Sequence, residues 1–128
     1  MKVLLDSHTV IWAADDTSKL GAEAFKLLQE AENELLLSAA TVWEIAIKVG
    51  LSKLSLTTSY RQWMTQAIRD LNLTLLPITV QYADVQSTLP SRHGDPFDRL
   101  LVSQAIVEQI PIVSVDPVFE TYGVERVW

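Results

Sequence analysis

A mainly parallel α/β sheet with helices on both faces is the fold this sequence predicts, and three observations predict it. Short, nearly continuous apolar runs alternate with longer segments of helical periodicity from one end of the chain to the other. No Asn-Gly or Asp-Gly pair joins two such runs as a hairpin. The chain has 128 residues, 48% of them hydrophobic and 20% charged, without linker, repeat or low-complexity segment, which suits one domain over residues 1–128.

The first element is Val3-Leu4-Leu5, a buried strand that stops at Asp6-Ser7. Thr9 to Ala14 reads as a short helix. After Ser18, Leu20, Ala24, Leu27, Leu28 and Ala31 recur at helical spacing opposite Glu23, Lys26, Gln29 and Glu30, so an amphipathic helix is expected there. Leu35-Leu36-Leu37 is the second strand, and Ser38 to Val49 a helix that stops at Gly50. A further helix covers about Ser59 to Leu71. Leu73 to Ile78 is the third strand, where Pro77, with no N–H to give to a ladder, marks a sheet edge or a strand end rather than a central position. Val80 to Leu89 is compatible with a helix. The segment Pro90-Ser91-Arg92-His93-Gly94-Asp95-Pro96 is dense in turn residues and leads into an apolar helix from Phe97 to about Gln109. Pro111 to Val115 is the fourth strand, and Val124 to Val127 supplies a fifth.

Composition narrows the chemistry. Cysteine is absent, which removes disulfides, thiolate zinc sites and a cysteine nucleophile. The first apolar run reaches Asp6 after three residues, so it is neither a signal peptide nor a membrane span, and the expected compartment is the cytoplasm. Sixteen acids against ten bases leave a net charge of −6, which argues against a protein that coats nucleic acid. From Ile45 to Arg69, however, there is no acid at all, and Lys48, Lys53, Arg61 and Arg69 fall in that window.

In open parallel sheets, sites form beyond the carboxyl ends of the strands. Asp6 follows the first strand, Asp116 the fourth, Glu44 lies early in the helix after the second, and Asp98 starts the helix after the long loop. Each also fits a helix cap: Asp6 and Asp116 as N-caps, the latter before Pro117, Thr41-Val42-Trp43-Glu44 as a capping box, and Asp95 as the cap ahead of Asp98. Caps can equally be Ser, Thr or Asn, and carboxylates held together repel, so the convergence points to a bound cation. With oxygen donors and only two histidines, Mg²⁺ or Mn²⁺ is favoured over zinc or copper. Such ions assist phosphodiester cleavage, which makes a nuclease or a phosphatase the leading class.

The segments Leu4-Leu5-Asp6-Ser7-His8, Ser38 through Thr41 to Glu44-Ile45-Ala46, His93 to Ala105 and Val113 to Phe119 resemble, in order, the PIN-domain ribonucleases, within them the VapC type of bacterial toxin. The resemblance implies a three-layer α/β/α sandwich. By motif position it implies that Asp6, Glu44, Asp98 and Asp116 bind Mg²⁺ or Mn²⁺ and cleave RNA, with Asp95 a cap in the same loop. It also implies a homodimer and a cognate antitoxin that blocks the site. Ser7 stands where the family often has Thr.

Around these acids, His93 and Ser114 are candidates to orient a carboxylate or meet a phosphate, and Arg99 is expected to pair with Asp95. His8 reads as a structural histidine facing the core, and the four tryptophans as core or dimer packing. Lys48 and Lys53 are the expected guides for the backbone of single-stranded RNA. The competing functions are a non-toxin RNA-processing nuclease, a phosphorelay receiver, a haloacid-dehalogenase-like phosphatase and a non-catalytic binding module. A receiver wants an adjacent acid pair after the first strand, and the phosphatase an Asp-x-Asp-x-Thr there; Asp6-Ser7-His8-Thr9-Val10 offers neither.

Overall fold

The computed structural model describes residues 1–128. Strand β1 (Lys2–Leu5) is the centre of a five-stranded sheet of order β3-β2-β1-β4-β5, with β2 (Glu34–Ser38), β3 (Thr74–Leu76), β4 (Ile112–Val113) and β5 (Arg126–Val127). Every pairing is parallel; Leu4 stands opposite Leu36 on one side and Ile112 on the other.

Side chains alternate across each strand, so consecutive leucines enter different cores. Val3, Leu5, Leu35, Leu37 and Val113 face Val10, Ile45, Trp63, Met64 and Ala67, beneath α1 (Ser7–Asp15), α2 (Ala22–Gln29), α3 (Ala39–Gly50) and α4 (Tyr60–Asp70). Leu4, Leu36 and Ile112 face Leu101, Val102, Ala105 and Phe119 on the other side, covered by α6 (Pro96–Glu108) and the short 3₁₀ turn at 117–122. Helix α5 (Val80–Ser87) packs on α6. The continuous apolar strands are thus buried on both faces, which gives the expected three layers.

One helix start and one capping box differ from expectation. The hydroxyl of Ser18 donates to Asp16 within a 3₁₀ turn at 17–19, and the helix expected after Ser18 begins only at Ala22, behind Gly21. A Cβ on Gly21 would come within 2.5 Å of the Trp128 backbone, so this position serves the close approach of the chain end. In α3 the cap is Ser38, whose Oγ accepts from the Ala40 N–H; Thr41 lies inside the helix, fully buried, with no partner for its hydroxyl. The Thr41–Glu44 capping box therefore does not form, because β2 runs one residue further than the leucine run and hands Ser38 to the helix start.

Candidate active site

A parallel sheet brings all strand carboxyl ends to one edge, and the loops there form a cleft of about 400 Å³ lined by Asp6, Glu44, Asp95, Asp98 and Asp116, together with Ser7, His8 and Lys48. The five acids come from three separate parts of the chain and a fourth following β4. Lys48 is the one Lys or Arg among the lining residues.

Asp6 leaves β1 as the N-cap of α1. Its Oδ1 accepts from the Thr9 N–H at 2.9 Å, and the Thr9 hydroxyl lies 2.7 Å from Oδ1 and 2.8 Å from the Val113 carbonyl. Its Oδ2 accepts from the buried Ser114 hydroxyl. That same Ser114 Oγ accepts from the Asp116 N–H, and Asp116 in turn caps the 3₁₀ turn by accepting from the Val118 N–H. Ser114 so ties together the acids that follow β1 and β4.

The opposite wall is built differently. Asp95 caps α6, accepting from the N–H groups of Phe97 and Asp98, with Pro96 at the first helical position. One turn of helix then aims Asp98 at His93, whose Nε2 is 2.9 Å from Oδ2. Ligand atoms of His93, Asp95 and Asp98 all lie within 4.8 Å of one another. Burial, with the charges of Asp95 and Glu44 and against the hydrogen bond from His93, pushes the Asp98 carboxyl up to about 6.

Glu44 lies in the second turn of α3, only 3% exposed. Its Oε2 accepts from the Lys48 ammonium at 2.8 Å, one helical turn on, whereas its Oε1 is buried without any partner. Burial works against the charge on Lys48, but the hydrogen bond and charge of Glu44, with Asp95 and Asp98, hold its pKa above the usual lysine value. A buried carboxylate oxygen left bare costs about 1–3 kcal/mol or more. Here it sits in a cleft rich in negative charge beside a carboxyl that burial holds up to about 6. Hard oxygen donors with one imidazole fit a divalent cation, and a cation would answer both the bare oxygen and the repulsion.

Not every candidate comes to the cleft as expected. Arg99 does not pair with Asp95: its guanidinium donates to the carbonyls of Pro90, Gln86 and Leu89 and to the Tyr122 hydroxyl. The position after Asp98 is turned about 100° around the helix, away from the cleft and onto the end of α5. Arg99 anchors the 86–90 segment instead. His8 is exposed over the cleft rather than in the core, its ring 5.4 Å from that of Trp12. Lys53 stands outside the cleft, in a neighbouring groove of about 260 Å³ that shares Glu44, Lys48 and Asp95 with it. Trp63 is buried, with Nε1 donating to Asp15; Trp43 is 62% exposed, edge-on to Phe97 at 5.6 Å. Sequence reasoning missed Thr9 as a support of Asp6 and the Glu44–Lys48 pair. The signals were there, an Asp-x-x-Thr cap and an acid four residues before a lysine on one helix.

The chain is similar to known proteins over nearly its whole length. The model of the family described as "PIN domain" matches residues 3–125. Ribonuclease VapC22 of Mycobacterium tuberculosis is 30% identical over 115 residues, covering 89% of this chain and 86% of that protein. Among solved structures, VapBC2 from Rickettsia felis bound to a DNA fragment from its promoter superposes with a TM-score of 0.72 at 15% identity, covering 100% of both chains. DNA-bound VapBC from Salmonella typhimurium gives 0.70 at 18%, covering 98% of this chain and 96% of that one. With an acidic cleft at the carboxyl edge of a parallel sheet and a family match across almost its whole length, the chain belongs to the PIN-domain family.

Proposed function

We propose that this protein is a Mg²⁺- or Mn²⁺-dependent endoribonuclease that cuts single-stranded RNA, and that it acts as the toxin of a toxin–antitoxin pair, as a homodimer in the cytoplasm. The observation that carries the metal reading is the bare, buried Oε1 of Glu44 in the same cleft as the raised carboxyl of Asp98. The RNA and antitoxin readings rest on the ribonuclease relative and on the toxin–antitoxin complexes among the structural neighbours. No helix is long and apolar enough to cross a membrane.

In this reading Asp6, Glu44, Asp98 and Asp116 hold the ion. Bound there, Mg²⁺ or Mn²⁺ supplies water activation and charge stabilisation for in-line displacement at phosphorus. The chain's own groups do the positioning. Ser114 and Thr9 fix both oxygens of Asp6, Asp95 sets the start of α6 and so the direction of Asp98, and His93 holds Asp98 through Nε2. Lys48 and Lys53 line the groove that leaves the cleft and meet the phosphates of the bound strand. Charge reversal at Lys53 is then expected to weaken cleavage more at low salt than at high salt.

The deciding experiment incubates end-labelled single-stranded RNA with the purified protein in Mn²⁺, in Mg²⁺ and in chelator, beside Asp98→Asn. Cleavage confined to the metal-containing reactions and lost in the variant supports the reading. Cleavage that persists in chelator rejects it. Co-purification with the product of an adjacent short reading frame tests the antitoxin, and sedimentation of the isolated chain tests the dimer.

A further inference from the structure

The Glu44–Lys48 pair is a feature that a metal site does not need and that works against one. Glu44 has the most buried carboxylate of the cleft, and half of its coordinating capacity is taken by an ammonium 2.8 Å away. An acid with a lysine four residues later is a favourable helical pair, so α3 forms this contact from its own sequence. Asp95 and Asp98, across the cleft, also favour the charged ammonium. Lys48 therefore stands where a cation is wanted, as a point charge on a flexible stem.

Unlike Glu44, Lys48 is free to leave. Its side chain is 38% exposed against 4% for that of Glu44, and it lines both the acidic cleft and the adjoining groove with Lys53. The ammonium thus has two alternative partners within reach of one side chain: the carboxylate on the cleft side and a phosphate on the groove side. It cannot serve both at full strength.

We propose that Lys48 is an exchangeable counter-cation that couples metal binding to RNA binding: it neutralises Glu44 in the metal-free protein, and its release to an RNA phosphate opens Glu44 to the ion. The proposal rests on the metal-dependent nuclease reading and adds its regulation. Linkage then requires reciprocity: RNA that draws Lys48 away tightens metal binding, and metal that takes Glu44 tightens RNA binding by the same factor. Lys48 covers only Oε2 and Oε1 has no partner, so departure of the ammonium would leave both oxygens of Glu44 for a cation.

The test is a calorimetric Mn²⁺ titration of the full chain, with and without a 2′-O-methyl oligoribonucleotide that keeps the phosphate charges. Wild type should bind Mn²⁺ more tightly with the oligonucleotide present, by a factor within the usual coupling range of about 5- to 150-fold. Lys48→Met should bind Mn²⁺ on the order of tenfold more tightly than wild type without RNA, lose most of the RNA effect, and melt lower in chelator. Lys48→Gln leaves a hydrogen-bond donor for Glu44 and carries the same expectation with a smaller melting loss, so a poorly folded Met variant does not end the test. Lys48→Arg retains the charge and should stay near wild type. Mn²⁺ affinity unchanged or weakened in both neutral variants overturns the exchange, while wild type that binds no Mn²⁺ at all overturns the metal-site reading beneath it.

Discussion

The two walls of the cleft are made of the same residue types and behave as opposites. On the wall that follows β1 and β4, both oxygens of Asp6 accept hydrogen bonds from Thr9 and Ser114, and Asp116 is tied to Ser114 and Val118. On the wall made by α3 and the start of α6, Glu44 keeps one oxygen bare and Asp98 is pushed up to about 6 by burial and by its acidic neighbours. A carboxylate that accepts neutral donors is stabilised where it stands. A carboxylate packed against other carboxylates stores repulsion that only a cation or a proton relieves. The first wall is satisfied by neutral donors, and in the metal-binding reading the second is the one a cation would relieve.

Four substitutions separate these walls, and the largest effect is expected at Glu44. Because Ser38 caps α3, Glu44→Gln leaves the helix start untouched, keeps an amide oxygen to accept from Lys48, and removes the negative charge. RNA cleavage in Mn²⁺ should fall at least about 100-fold, the scale of losing one electrostatic stabiliser, with the melting temperature nearly unchanged. Full activity in that variant would remove Glu44 from the reactive wall.

Asp98 gives the next effect, read in the stability of the metal-free protein as well as in the loss of cleavage already expected. Its folded pKa, about 6, lies above the ordinary 3.8, so without metal the folded state binds the proton more tightly than the unfolded state does. Stability is accordingly highest below the unfolded value and falls as pH rises from about 4 to about 6. The loss is on the order of 2 kcal/mol once the partial exposure of the group is allowed for. Denaturant midpoints over that range should show this slope in chelator, should lose it in Asp98→Asn, and should show the opposite slope in saturating Mn²⁺, where the ion needs the carboxylate. An identical slope in Asp98→Asn would assign it to another group.

On the satisfied wall the sign reverses. Ser114→Ala removes the donor to Asp6 and the acceptor for the Asp116 N–H, so it should cost about 1–3 kcal/mol at every pH, with cleavage reduced less than in Glu44→Gln. A stabilised Ser114→Ala protein would mean that this wall also stores repulsion. The smallest change is expected at Thr41, whose hydroxyl is buried and unpartnered. A true cap at this position would lose about 1 kcal/mol on replacement by alanine. Thr41→Ala should instead be neutral or slightly stabilising, with activity intact, and a clear loss in thermal denaturation would restore the capping box.

Much of the molecule was legible in the residues. The order of strands and helices, the end of β3 before Pro77, the cap at Asp95 and the gathering of acids at one edge all follow from local signals. What misled was equally local. Ser18 looks like a helix start and Thr41-Val42-Trp43-Glu44 like a capping box, but Ser18 bonds back to Asp16, and Ser38 at the end of β2 is the cap. Arg99 seemed placed for Asp95, yet the loop carbonyls that it meets belong to a segment about ten residues away, invisible to any window around α6.

By itself the sequence determined which residues stand at the ends of the strands, because an apolar run bounded by polar residues sets where a buried strand must stop. It also determined that these ends share one edge, because parallel strands joined by helices all point the same way. Only the tertiary structure decided that Asp6 is satisfied and Glu44 is not. That difference rests on Ser114, 108 residues from Asp6, reaching its free oxygen, and on no neutral donor reaching Glu44 Oε1. Hydrogen-bond satisfaction depends on distances of a few tenths of an ångström between remote segments, and periodicity along one chain carries no information at that scale.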